Sequence, residues 1–473
     1  MMQSELLIQT SWPLHSYFNS NLDHYESDQH EFLSQLNSNP ENSTITHDCS
    51  LLDYDIRNQT VDGDDSQYIM ALDDVRRWLC DVDQEIEEIQ SNDTFESVLT
   101  EELNDVMDPE SQSGLKILLN AYAEAMSMGQ MELSRVIVRC ISEKVIPIGP
   151  TIERIAFNLF RCTENQEEAY LKQESMRNFK TAFRTFYEVF PYGRFAHFTA
   201  NLAIIEALPT HVESVHIIDF DLCEGSQWPV VIEAISQQGK SLTITSVKLD
   251  DHDSQFEHTK WQLCSYARNF GLNLKVQEMD MRKIREDMER STFFGREFVV
   301  FNGMVSLPHM GRTRKTTQVM TFLDIAKAVL AKNEGIITFG DGEDCKEKIR
   351  NSSDFSSFFN KYMSHYRALY ESTECSFLSY LKEARMAMET LFFAPFISSQ
   401  SWFQKWDEGR ENAVARMELG LKGRPMSEES LNEAKELVKE GESLYGVRIE
   451  GENGNEMVLE WNGTPLVKVS VWV

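Results

Sequence analysis

Basic residues are almost missing from the first part of this 473-residue chain: residues 1–110 hold 26 Asp and Glu but only Arg57, Arg76 and Arg77. The whole chain carries 45 Lys and Arg against 76 Asp and Glu, a formal net charge of −31. That balance argues against a protein that grips a phosphate backbone over a broad surface, which needs clustered Lys and Arg. It disfavours a polybasic membrane-surface protein for the same reason. A small local basic patch stays compatible with it. No stretch of about 18 uncharged apolar residues occurs, so a spanning helix is not expected. The opening MMQSELLIQTSWPLHSYF has neither a basic residue nor an apolar run suited to a secretory signal. The Cys at 49, 80, 140, 162, 223, 264, 345 and 375 form no C-x-x-C pair. Free thiols in a reducing compartment are therefore expected, not a zinc or disulfide framework. The expectation is a soluble intracellular protein.

What is present divides by composition. The length allows roughly two or three domains, and 41% hydrophobic residues with 28 Phe and 8 Trp supply a substantial core. Residues 1–110 have a net charge of −23, and the remaining 363 residues one of only −8. The first segment, rich in Asn, Ser, Gln and Asp, cannot bury enough apolar surface to offset chain entropy, so it is expected to be largely disordered. Within it, Tyr68 to Ile89 places Ile69, Leu72, Val75, Leu79 and Val82 at helical spacing among acids. Acids interleaved with Tyr68, Trp78 and Leu79 suit either a segment that folds against a partner, as in activation domains, or a solubilising tail with one nascent helix.

From about Gly114 the texture is that of a packed domain. Leu115, Leu118, Leu119, Tyr122 and Met126 mark one helix face, and Met131, Leu133, Val136, Ile137 and Cys140 another. Pro147 and Gly149-Pro150 break the pattern, Ile152 to Phe160 resumes it, and Met176 to Ile205 continues it around an interruption at Pro191-Tyr192-Gly193. Residues 111–210 thus read as a helical cap with a leucine-rich region.

Residues 211–473 change period. Val215 to Phe220 is a compact apolar run ending in acid, as a buried parallel strand requires. Similar runs recur at Leu242 to Leu249, Leu272 to Val276, Phe298 to Phe301 and Gly335 to Phe339, separated by helical patterns at Trp228 to Ser236, Phe256 to Phe270 and Val319 to Ala331. That alternation predicts a doubly wound α/β sheet. Gly446 to Glu450, Met457 to Trp461 and Leu466 to Val473 alternate around Gly451–Gly454 and Asn462-Gly463, a hairpin signal that predicts antiparallel strands closing one sheet edge.

Asp219 ends a strand just before a helix, the place where nucleotide-binding folds put a glycine-rich turn. Here the turn, Asp221 to Gln227, holds one glycine, Gly225, where the dinucleotide fingerprint needs G-x-G-x-x-G. Glu224 would sit unfavourably near any phosphate, while Asp250 after the next strand is placed to meet a ribose hydroxyl. An S-adenosylmethionine-dependent methyltransferase or a small-ligand binder, with a pocket lined by Asp219, Gly225 and Asp250, is therefore the alternative reading. No P-loop, G-x-S-x-G or H-E-x-x-H motif occurs, and no catalytic set, metal site or cofactor site is assigned. His252 and His258 beside Asp250, Asp251 and Asp253 read as a solvated loop more readily than as a metal cluster. His216 reads as a satisfied core histidine, and Cys223 has no activating partner visible in sequence. The densest basic clusters are Arg312, Arg314 and Lys315, then Lys346, Lys348 and Arg350; such loops are usually solvated turns, leaving room only for weak or partner-assisted DNA contact.

Val215-His216-Ile217-Ile218-Asp219 with Phe220, Gly225, Gln227, Trp228 and Pro229 resembles the VHIID motif of the plant GRAS family of transcriptional regulators. Arg194 to Asn201 with Ala203 to Ala207 resembles the segment that precedes it, and Leu118-Leu119 with Ala123-Glu124-Ala125 the first leucine-rich repeat. Phe358, Tyr366, Tyr370, Arg385 and Glu389 resemble the PFYRE elements; Val458 to Trp461 (with Trp461 last) and Ser470-Val471-Trp472 resemble the closing SAW element. The resemblance covers about residues 110–473. Two departures stand out: a tryptophan usual in the closing region is missing near Ala413 to Gly420, and no DELLA element is present. Val300-Phe301-Asn302 with Leu307-Pro308-His309 is similar to the branch of the nodulation-signalling pathway regulators. The resemblance implies a Rossmann-like, methyltransferase-like mixed sheet with a helical cap, a nuclear location, and association with other GRAS proteins or transcription factors as homo- or heterodimers. It implies no cofactor and no membrane. On this reading the motif residues are structural or interaction elements, and the strand at Val215 persists for folding.

Overall fold

The computed structural model describes residues 109–160, 179–249, 256–290, 296–343, 351–375, 377, 382–412 and 421–473. The acidic segment 1–108, the aspartates at 250, 251 and 253 with His252, the basic cluster 346–350 and the stretch 413–420 lie outside the described residues.

Three helices open the described chain: α1 (Pro109–Ser127), α2 (Met131–Ser142) and α3 (Thr151–Phe160). They are followed by α4 (Phe179–Val189) and α5 (Pro191–Ala207). The expected interruption falls at Phe190, one residue earlier than Pro191, which starts α5. A proline at the first helical position loses no hydrogen bond and its fixed φ suits the helix. The chain then lays down β1 (Ser214–Asp219), α6 (Pro229–Gln237), β2 (Ser241–Val247), α7 (Phe256–Asn269), β3 (Leu274–Met279), α8 (Met281–Arg290) and β4 (Glu297–Val305). α9 (Thr316–Leu330), β5 (Gly335–Asp341), α10 (Phe355–Glu374), α11 (Lys382–Phe392), α12 (Ser399–Asn412) and α13 (Glu428–Leu437) lead to the terminal strands β6 (Tyr445–Glu450), β7 (Glu456–Trp461) and β8 (Thr464–Trp472).

The eight strands form one sheet in the order β3-β2-β1-β4-β5-β8-β7-β6. The first five are parallel, and β8 returns antiparallel against β5, followed by β7 and β6. The fold is Rossmann-like, of the methyltransferase type, with an antiparallel extension on one edge. Alternation along β1 sends Val215 and Ile217 to one face and Ile218 and Phe220 to the other. Under the second face α8 and α9 pack with Ile284, Met288, Phe322, Leu323 and Val329. α8 is absent from the sequence expectation because MRKIREDMER buries only Ile284 and Met288 among its described side chains, too few apolar positions for a visible stripe. On the first face α5 crosses β5 and β8, and one continuous apolar core runs from Leu115 and Tyr122 of the cap to Val469 and Val471 of the last strand. Aromatic rings fill its centre, where Trp402 of α12 stacks on Tyr366 of α10 and meets Phe359 edge-on. No described helix is long and apolar enough to cross a membrane.

Candidate functional site

Order reversal between β1 and β4 makes a switch point, the crevice where open α/β sheets bind their ligands at the carboxyl strand ends. Here that crevice is filled by the chain's own polar side chains. Asp219 ends β1 opposite Asn302 of β4, which lies opposite Thr338 of β5. Trp228, at the start of α6, donates its indole N–H to Asp219 Oδ2 at 2.8 Å, and Asn302 Nδ2 donates to Asp219 Oδ1 at 3.1 Å. Gln227 exchanges two amide bonds of 3.0 Å with Asn302, donates to Asn201 Oδ1 at 3.2 Å, and accepts from Asn201 at its backbone carbonyl. Thr338 donates to Asn302 Oδ1 at 2.9 Å. All six residues are buried. Thus Asn201, in the segment upstream of β1, and Gln227 and Trp228, in the turn after it, bind one another through the sheet. Burial pushes the Asp219 carboxyl up to about 7, with the donors Asn302 and Trp228 opposing that rise and the neighbouring Asp221 adding to it.

The single glycine of the turn serves packing. Gly225 has φ +70°, and a Cβ there would meet Thr259 Cγ2 of α7 at 2.9 Å. The turn is held against a helix, not opened for a phosphate. Cys223 also has positive φ, and burial pushes its thiol up to about 12, which disfavours the thiolate form. A cleft lies nearby at the ends of β1, β2 and β3, lined by Asp221, Cys223, Ser246, Phe256, Glu278 and Arg314 among others. Its free volume of about 20 Å³ holds a water molecule. Asp219 and Gly225 do not line this cleft, and Asp250, the third residue of the expected ligand pocket, lies outside the described residues.

The basic loop after β4 is also corrected. Arg312 and Arg314 are not a solvated turn: both guanidiniums bind the buried Asp221, Arg314 Nε at 2.8 Å and Arg312 Nε at 3.2 Å. They clamp the loop after β4 onto the loop after β1. Lys315 precedes α9 and is exposed. His216 donates to or accepts from Thr245 Oγ1 at 2.8 Å, and burial drops its pKa to about 4, a satisfied neutral core histidine. Upstream, His197 bonds Tyr187 at 2.7 Å and packs edge-on against His309, and burial lowers both imidazoles far below their usual range. Among the described residues no group of three or more His, Cys, Asp and Glu is placed to hold a metal.

Arg385 and Glu389 of α11 join a second buried constellation, whose other members sequence reasoning missed. Arg154 of α3 donates Nε to Glu389 at 3.1 Å, NH1 to the Gly149 carbonyl at 2.9 Å and NH2 to Glu374 of α10 at 3.2 Å. Arg385 donates to Glu374 at 2.8 Å and lies 3.7 Å from Glu389. Two cations and two anions therefore tie α3 of the cap to α10 and α11. Burial raises Glu389 to about 7 against the pull of both arginines. In the closing strands, Trp461 packs edge-on to Tyr445, Ser470 donates to the Phe339 carbonyl of β5 at 3.3 Å, and Trp472 Nε1 donates to Ser470 at 3.0 Å. Val215, Ile217, Ile218 and Pro229 are buried in the core.

One surface is different in kind. α2 buries Ser134, Ile137 and Ile141, while Leu133 and Val136 face solvent; the predicted face of Met131, Leu133, Val136, Ile137 and Cys140 is split between the two environments. Ile117 (65% exposed), Met128 (69%), Met131, Leu133, Val136 (58%), Ile146 and Ile148 are all exposed. They account for seven of the twelve large apolar side chains exposed among the described residues, all within positions 117–148.

Residues 115–473 match the model of the GRAS domain family. The protein NODULATION SIGNALING PATHWAY 2 of Medicago truncatula is 28% identical over 408 residues, 77% of each chain, and that of Lotus japonicus 27% over 394 residues, 76% of each. The DELLA protein RGL3 of Arabidopsis thaliana is 26% identical over 299 residues, 61% of this chain and 54% of its own. The crystal structure of SCL7 from Oryza sativa superposes with a TM-score of 0.53 at 19% identity, over 78% of this chain and all of that one, a likeness of fold. With three quarters of its length under the family model, this chain belongs to the GRAS domain family.

Proposed function

We propose that this chain is a nuclear regulator of plant transcription that works by associating with other proteins, GRAS proteins or transcription factors among them, through the α1–α2 hairpin of its cap. The observation that carries the reading is the concentration of exposed apolar side chains on that hairpin. Patches of this kind mark interaction sites on proteins that otherwise bury their large apolar residues. The polar side chains that fill the switch point support the same reading, because they leave the β1–β4 crevice to the chain itself. The VHIID and PFYRE residues then act as internal ties that hold the cap on the sheet. DNA contact through Arg312 and Arg314 would require breaking their pairs with Asp221, so any such contact falls to a partner.

The test is a transcriptional reporter in plant cells with the full chain and the double variant Leu133→Asp/Val136→Asp. Both positions are exposed, so the variant should accumulate in the nucleus as the parent does while reporter regulation is lost. Undiminished regulation would remove the hairpin from the mechanism. Calorimetric titration with S-adenosylmethionine and S-adenosylhomocysteine addresses the ligand reading: no heat is expected, and micromolar binding would restore it.

A further inference from the structure

We propose that the acidic segment 68–89 of this chain docks in cis onto the exposed apolar face of the α1–α2 hairpin and competes there with partners. The inference rests on the reading of that hairpin as the association surface. Three observations point to this occupant.

The first is apolar pattern. Ile69, Leu72, Val75, Leu79 and Val82 recur at helical spacing. On the hairpin, Leu133 and Val136 are exposed at i, i+3, Cys140 follows half-buried at i+7, Ile117 is exposed on α1 and Met128 in the turn that follows it. An amphipathic helix laid on an apolar helical face is a recurring recognition mode.

The second is charge. Segment 68–89 holds seven acids (Asp73, Asp74, Asp81, Asp83, Glu85, Glu87, Glu88) against Arg76 and Arg77, a net of −5. In a chain of net −31 the hairpin is neutral: Glu110, Glu124, Glu132 and Glu143 offset Lys116, Arg135, Arg139 and Lys144. With Arg135 paired to Glu132, the exposed Lys116, Arg139 and Lys144 are the cations that could meet the acids of 68–89. Opposite signs across the rim favour docking and fix orientation more than they add affinity.

The third is connection. Nineteen residues, 90–108, separate Ile89 from Pro109, the first residue of α1. They reach at most about 65 Å, while a 19-residue helix such as α1 is about 28 Å long, so the segment can lie anywhere along the hairpin. A tether of that order gives an effective concentration of about 1 mM. Docking with an intrinsic Kd of about 100 μM would then be roughly ten to one in favour of the closed form.

The test is hydrogen exchange on the full chain, with peptides covering 68–89 followed at two protein concentrations a factor of ten apart. Amides of 68–89 are expected to exchange about tenfold more slowly than in the variant Leu133→Asp/Val136→Asp, and equally at both concentrations. Equal exchange in parent and variant overturns the proposal. Protection that grows with concentration assigns the face to a second copy and also overturns it. A second variant, Leu72→Asp/Leu79→Asp, leaves the hairpin untouched and should release the same protection; retained protection overturns the proposal by a route that does not depend on the fold of the cap. Partner capture separates the two readings. With docking established, the Leu72→Asp/Leu79→Asp chain should capture more GRAS partner than the parent. Docking without that gain keeps the cis contact and removes the competition with partners.

Discussion

The β1–β4 switch point and the α1–α2 hairpin use side chains in opposite ways. At the switch point six polar or indole side chains are buried and satisfied by each other, from Asn201 through Gln227, Asn302 and Thr338 to Asp219 and Trp228. On the hairpin, apolar side chains that would normally be covered face water. The first region is rich in motif residues and turned inward; the second has a plain leucine-rich composition and is turned outward. If the hairpin is the association surface, as proposed, a conspicuous motif is a poor guide to where a partner binds. Burying a polar group requires a partner inside the fold, whereas exposing an apolar one becomes favourable when a partner outside covers it.

Substitutions should separate the two regions, and the largest effects belong inside. Val215→Asp puts an unpaired charge in a strand that is fully buried. It should unfold the domain, with loss of a cooperative melt by circular dichroism. A soluble variant with a parental melting transition would show that the strand's role is contact and not folding. Arg154→Met removes one of the two cations of the buried cluster, the one bonded to both Glu389 and Glu374, and leaves both carboxylates to Arg385 alone. A loss of about 3–5 kcal/mol in chemical denaturation is expected.

Within the switch point, Asp219→Asn turns an acceptor of two N–H bonds into a group with one donor end, which meets a donor. The cost should be about 1–3 kcal/mol. Its pH dependence has a definite sign. Asp219 titrates near 7 in the fold, above the ordinary 3.8 of an unfolded aspartate, so the folded state binds the extra proton between those values. Folding stability from this group is therefore greatest at low pH and falls as the pH rises toward 7. The Asn variant lacks that fall, so its deficit relative to the parent should be widest below about pH 4, smaller at pH 5 and narrowest by pH 8, read as the difference in melting temperature. A deficit that widens with pH would mean that the donors Trp228 and Asn302 outweigh burial. Arg312→Ala loosens a clamp that Arg314 still holds on Asp221, and a smaller loss of about 1 kcal/mol is expected in the same denaturation assay.

Much of this was legible in the chain before its structure. The runs at Val215, Phe298 and Gly335 are strands because uninterrupted apolar residues suit a sheet covered on both faces. Asn462-Gly463 does join β7 to β8, with both residues at positive φ. The misses have physical causes. The break expected at Pro191 to Gly193 exists but falls at Phe190, between α4 and α5, because proline suits the first position of a helix. β3 starts at Leu274 and runs to Met279, past the expected end at Val276, because Gln277 and Glu278 pair with β2 without apolar side chains. Asn302 and Thr338 carried a readable signal, a polar residue inside FVVFNGMV and GIITFGD, but their meeting depends on strand register across the sheet, which no local pattern supplies. Arg154 and Glu389 are 235 positions apart, and nothing near either residue announces the other. The exposure of Leu133 and Val136 was likewise invisible, because apolar spacing marks a face without saying what covers it.

The most direct measurement is capture of a GRAS partner by the full chain and by Leu133→Asp/Val136→Asp, with a melting curve taken on each. Substitutions at such exposed positions usually change stability by no more than about 0.5 kcal/mol. The account predicts a parental melt with capture reduced to background. Capture at the parental level from a folded variant would contradict it and return the search for the association surface to the rest of the molecule.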